Sequence, residues 1–185
     1  MAAKNRAAYA EKLRLLAVFA MLGTVMFVSD ILMEFLPNVH IVGVLTVVYT
    51  IVYRAKALVP IYVYVLLNGF FSGFGIWWLA YLYVWALLWG AAMLVPRRLP
   101  KVVRGIIYVL ISTLHGLAFG LLYLPVQMIY SSDPTYLFLW LVKGFFTADI
   151  YHAAGNLIFG ILLIMPLSEL LGKLEKKTSL TDRGF

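Results

Sequence analysis

The sequence predicts an all-α integral membrane protein of six transmembrane helices, with both termini on the cytoplasmic side. Three observations carry that expectation. Hydrophobic residues make up 64% of the chain and charged residues 12%, against roughly half and a quarter in water-soluble domains. Apolar runs that reach or approach the length of a bilayer crossing alternate with short breaks rich in proline, glycine and charge. The cations fall in every second break, the pattern by which membrane proteins are oriented.

Taken in order, residues 1–12 are basic and polar and read as a cytoplasmic tail. The run 13–36, closed by Pro37, is long enough for a first span. It lacks the short apolar core and small-residue cleavage site of a removed signal peptide, so it counts as structural. Asn38 and His40 sit in the connection that follows. The run 39–53 is a little short for a span, which tilt or local thinning can absorb, and it stops at Arg54 and Lys56. A third run covers 57–71. The turn Ser72-Gly73-Phe74-Gly75 separates it from a fourth, 76–95, which stops at Pro96-Arg97-Arg98-Leu99-Pro100. The fifth covers 102–130, and Ser131-Ser132-Asp133-Pro134 is a turn by composition. The remainder, 135–171, is too long for one straight crossing at about 1.5 Å per residue. It is expected to divide near Asp149 into an outer segment and a sixth helix. One domain results: a bundle over 13–172 between cytoplasmic tails at 1–12 and 173–185.

Charge placement tests the count. Lys4, Arg6, Lys12 and Arg14 precede the first run, and Arg54 and Lys56 join the second to the third. Arg97, Arg98, Lys101 and Arg104 join the fourth to the fifth, while Lys173, Lys176, Lys177 and Arg183 follow the last. Every Lys and Arg except Lys143 then lies on one side, and the opposite connections hold Glu34 and Asp133. The net charge of +7 is accordingly a topology signal, and a nucleic-acid partner is not expected. With no cysteine in the chain, disulfides and thiolate sites are excluded.

Orientation converts position into depth. Asp30 lies about 25 Å along the first helix and Asn68 roughly 20 Å along the third, so the non-basic polar groups collect in the outer half. The richest stretch is 143–160, where Asp149, His152, Asn156 and Gly160 share one helical face and Lys143 could be swung back by a break at Gly144. Ionisable groups at membrane depth usually face a cavity or a partner. In the fourth run, Trp77, Tyr81, Trp85 and Trp89 recur every four residues. Trp77 and Trp78 could stack on a flat ligand or anchor the helix at the interface. Gly69 with Gly73 and Gly116 with Gly120 have the spacing of close helix packing.

Other chemistries find little support. His40, His115 and His152 lie on different elements without metal-site spacing, and no nucleophile elbow occurs. Asp30 and Asp149 could pair as in an intramembrane aspartyl protease, though their flanks add nothing specific. No cofactor or metal is expected. There is no nucleotide-binding loop, so an ATP-driven process needs a motor on another chain.

Across nearly its whole length the chain resembles the substrate-binding S component of an energy-coupling factor (ECF) vitamin transporter. That family has six helices, inner termini, basic cytoplasmic connections and outer loops that cover one vitamin-sized ligand. The matching positions are Asn38 and His40, the stretch 72–78, and the stretch 131–156. The resemblance implies a plasma-membrane binding subunit that delivers a water-soluble vitamin or related micronutrient with a transmembrane coupling subunit and two ATPases. The ligand-binding residues expected are Asp30, Asn68, Trp77, Trp78, Lys143, Asp149, His152 and Asn156, with Lys143 meeting a carboxylate or phosphate. The family's small-residue docking motif corresponds to a face formed by Ala17, Ala20 and Gly23. The runner-up is a stand-alone small secondary transporter or channel with a proton path through Asp30, Asp149 and His152. An intramembrane enzyme is a third reading.

Overall fold

Chain-breaking residues set the element boundaries. The computed structural model describes residues 2–181, and every regular element among them is helical. Arg183, assigned to the basic tail, lies outside the described residues. The first helix, α1 (Ala2–Leu32), takes in the basic N-terminal segment as its opening turns. It ends before Leu36, because proline disfavours helical geometry in the residue ahead of it. The chain leaves through tight turns: Leu36 N–H donates to Met33 O at 2.8 Å and Val39 N–H to Leu36 O at 3.0 Å. Asn38 takes φ +61°, which asparagine tolerates better than most residues.

The second helix, α2 (Val42–Tyr53), is buried from Val42 to Thr50 without interruption. A helix apolar all round belongs in the middle of a bundle. Its two threonines fit there because each hydroxyl bonds back along the helix, Thr46 to Val42 O at 2.9 Å and Thr50 to Thr46 O at 2.7 Å. Arg54, at φ +54°, turns the chain through a 3-10 turn (Arg54–Ala57) into α3 (Leu58–Ser72). Such a backbone is unfavourable for a β-carbon residue. Here the guanidinium donates to Met93 O at 2.8 Å and the Arg54 carbonyl accepts from Trp89 Nε1 at 3.0 Å. Gly73 at φ +86° makes the next reversal, and α4 (Trp78–Met93) follows.

The rest of the chain is a long antiparallel hairpin. One arm is α5 (Lys101–Leu117) and α6 (Phe119–Tyr130), separated at Ala118. The other is α7 (Pro134–Gly144), a π-helical turn (Phe145–Asp149) and α8 (Ile150–Thr181), which follow one another without a break. Asp133 caps the second arm by accepting from Thr135 N–H and Tyr136 N–H, with Pro134 at its first position. The outer segment up to Asp149, for which the sequence leaves a re-entrant course or a fold over the bundle open, is helical and lies along α6, with Trp140 stacked on Tyr123 and Tyr136 bonded to Gln127. At the open end Lys101 pairs with Glu169.

The bundle has two unlike ends. The connections 33–41 and 73–77 lie at one. Arg54, Lys56, Arg97, Arg98 and Lys101 lie at the other, tied together by the Arg54–Met93 bond and the Lys101–Glu169 pair. Toward this basic end the interior is packed with Tyr49, Leu88, Ala92, Val95, Tyr108 and Ile164. Among the described residues, four helical stretches are long and apolar enough to cross a membrane, Tyr9–Leu32, Val42–Ser72, Lys101–Tyr130 and Pro134–Lys177. Their outward faces carry exposed large hydrophobics such as Leu16, Met21, Ile106, Leu114, Leu121 and Ile161. So much exposed apolar surface suits lipid contact and not water.

Candidate functional site

Opposite the basic end, a cavity of about 510 Å³ opens among the ends of α1, α2, α3 and α4, with α8 on its far side. Asp30 comes from the last turn of α1 and Asn68 from the last turn of α3. His40 precedes α2, and His152 stands in the first turn of α8. Glu34, Asn38 and Ser72 belong to the rim, while Trp77, Tyr81, Phe71 and Phe119 supply aromatic walls.

The floor is a run of rings in mutual contact. Trp77 meets Tyr81 edge-on at 5.3 Å between centroids, and Tyr81 meets Trp85 at 5.8 Å. Trp77, just ahead of α4, and Tyr81 and Trp85 within it recur at helical spacing, so one element sets Trp77 and Tyr81 on the cavity wall with Trp85 buried next to them. Trp85 in turn faces His40 at 6.0 Å, and the two cavity imidazoles, His40 and His152, lie 5.0 Å apart. Phe119 closes on His152 at 4.8 Å. The third histidine, His115, is behind this layer with its Nε2 at 3.0 Å from Val84 O, in helix-to-helix contact.

Polar capacity in this region is only partly used. Asp30 Oδ2 accepts from the Tyr64 hydroxyl at 2.8 Å. His40 Nδ1, Asn68 Nδ2, His152 Nδ1 and Trp85 Nε1 are each buried without a hydrogen-bond partner. Most buried polar groups in folded proteins are satisfied, and each exception calls for an explanation. The side chains of three of them, His40, Asn68 and His152, line the cavity, and the fourth, Trp85, is buried against His40.

Of the ligand-binding residues expected from sequence, Asp30, Asn68, Trp77 and His152 line this cavity together. Trp78, Lys143, Asp149 and Asn156 do not. Trp78 turns inward, its Nε1 donating to Val65 O at 2.8 Å and its ring edge-on to Phe74. Lys143 is exposed on α7. The Asp149 carboxylate is buried and accepts from Gly120 N–H at 2.9 Å. The break at Ala118 leaves the first amides of α6 without helical acceptors, and Asp149 serves as their cap from the facing arm. Asn156 reaches across the same seam to Ser112 O at 2.9 Å. The face holding Asp149, Asn156 and Gly160 is therefore the packing face of the hairpin, with His152 reaching past it into the cavity.

Sequence reasoning did not single out Tyr64, Tyr81 or Phe119 for the site. Tyr81 had a signal, its four-residue spacing from Trp77. Tyr64 had none, since its role comes from a hydroxyl meeting Asp30 across 34 residues of chain. The expected docking face also divides: Ala17 and Ala20 are exposed, whereas Gly23 is buried against α3. A Cβ on Gly23 would lie 2.5 Å from Val63 and 2.8 Å from the Pro60 carbonyl. No protein family, curated protein or solved structure matches the chain.

Proposed function

We propose that the chain is a membrane-embedded solute-binding subunit of the S-component kind, taking a small water-soluble molecule from outside the cell. The observation that carries this reading is the cavity: about 510 Å³, within the range of small-molecule sites, and edged by buried polar atoms without partners. It sits at the end of the bundle away from the basic connections, which by the positive-inside rule is the outer end.

Six crossings follow if α2 and α3 each span. Their antiparallel course supports this, since His40 and Asn68 meet at the cavity while Arg54 and Lys56 lie between the helices at the basic end. At 12 residues, α2 covers about 18 Å, short of a bilayer's hydrocarbon thickness. Enclosure by its neighbours spares it contact with lipid over most of that length. Delivery inward would require partners, a coupling subunit and ATPases, and the exposed Ala17 and Ala20 on α1 are the proposed contact. A proton path through the protein is less well supported, because apolar side chains pack the half below the cavity and Asp149 is engaged by a backbone amide outside it.

The test is retention of solute. Purified wild-type protein is expected to release a discrete small molecule on denaturation, in near one-to-one ratio with the chain. Asp30→Asn, Asn68→Ala and His152→Ala should each retain markedly less while remaining monodisperse in detergent. Full retention by all three variants would reject the cavity as the binding site.

A further inference from the structure

Resting on that cavity as the binding site, we infer that its ligand is a flat ring compound that is cationic, or neutral with several N–H donors, and that carboxylates and phosphates are disfavoured.

The charges that line the space set its preference. Asp30 and Glu34 line it, and no Lys or Arg is among the described residues that do. Lys143, the one cation outside the basic segments of the sequence, is exposed on α7. Only the two imidazoles could offset the carboxylates. With their centroids 5.0 Å apart, two imidazolium rings would repel each other strongly at low dielectric, so the pair carries at most one positive charge. The side chains therefore leave the cavity negative.

Backbone dipoles do not reverse that sign. The N-termini of α2 and α4 lie at this end, and so do the C-termini of α1 and α3. Those two positive and two negative ends roughly offset one another, while the start of α6 is met by the Asp149 carboxylate and α8 continues from the π-turn without a free end.

Hydrogen bonding agrees. Asp30 Oδ2 already takes the Tyr64 hydroxyl, and its second oxygen can accept from a ligand N–H as a charge-assisted bond. Trp77 and Tyr81 also line the cavity, and an aromatic ring offers a planar cation the negative potential of its face. An anionic group placed here would meet two carboxylates and the same rings without a guanidinium or ammonium to pair with. The expectation from residue chemistry of a carboxylate or phosphate held by Lys143 is replaced by the opposite preference.

Three isosteric probes separate the cases: benzamidine, benzamide and benzoate, which share a ring and differ chiefly in the charge of one substituent. Each would be titrated up to millimolar concentration into purified, solute-stripped protein, with binding read from tryptophan fluorescence and calorimetry. Benzamidine is expected to bind about tenfold or more tightly than benzoate, a difference that corresponds to one favourable charge contact, with benzamide between them. Asp30→Asn should bring benzamidine down toward the benzamide value. Benzoate binding as tightly as benzamidine to wild-type protein would overturn the inference, and this comparison needs no variant to fold. A benzamidine preference that survives in a folded Asp30→Asn protein would also overturn it. If none of the three binds, or if binding ignores both Trp77→Ala and His152→Ala, the cavity reading itself falls along with the inference. If the three probes bind wild-type protein equally and His152→Ala weakens each of them, the cavity reading stands and the charge preference alone is lost.

Discussion

Asp149 shows how a carboxylate at membrane depth can be structural. Its acceptor bond from Gly120 N–H spans 2.9 Å and is buried, and it caps a helix that Ala118 has interrupted. A hydrogen bond to a charged group contributes about 1.5–3 kcal/mol. Asp149→Ala is accordingly expected to lower the midpoint of thermal unfolding in detergent clearly, while leaving solute retention per folded chain unchanged. Loss of retention at wild-type stability would move Asp149 into the binding site instead. Asp30 is the contrasting case, with one oxygen engaged by Tyr64 and the other beside the cavity. In sequence the two aspartates look alike, since each is a lone acid in an apolar run. What distinguishes them is a helix break at Ala118 and a π-turn at Phe145–Asp149, which residue type and spacing do not announce. Asn156 was legible as an inward-facing residue on the Asp149 face but not as a bond to Ser112 O, because that depends on the register of the facing arm.

Among the elements, boundaries with a chain-geometric cause were the most readable. Pro37, Gly73, the Pro96–Pro100 segment and Ser131–Pro134 all mark real reversals, since proline and glycine act through backbone sterics that neighbours rarely override. The continuity of α7 with α8 was not readable. The length of 135–171 suggested a division, and the chain makes it with a π-turn that keeps the helix going. Small-residue faces were ambiguous for a similar reason: they allow close approach but do not name the partner. Gly23 spends that allowance inside the molecule, on Val63 and Pro60, while Ala17 and Ala20 remain outside. If they dock a coupling subunit, Ala20→Trp should leave solute retention intact and sharply reduce co-purification with that subunit. Unchanged assembly would reject this face of α1.

For the molecule as a whole, the sorting of polarity was legible from the start. The basic connections share one end, and Asp30, Asn68, Trp77 and His152 gather around a cavity at the other. That separation follows from charge and helical rise alone, before any side-chain contact is known. The charge preference proposed for the cavity was not legible, because it depends on Lys143 lying outside it and on two imidazoles sharing one small space. Packing beneath the cavity, with Val44, Val47 and Leu88 fully buried, gives a site closed toward the basic end. Access from one side only is what a capture subunit requires.

The most direct test uses the natural absence of cysteine. Single variants Ser72→Cys, at the cavity rim, and Arg98→Cys, at the basic end, would be exposed to a membrane-impermeant maleimide in intact cells and again after permeabilisation. Labelling of Ser72→Cys in intact cells, with Arg98→Cys reacting only once the membrane is opened, is the predicted result. The reverse order, or equal labelling of both from outside, would contradict a cavity that faces the exterior above a basic cytoplasmic surface.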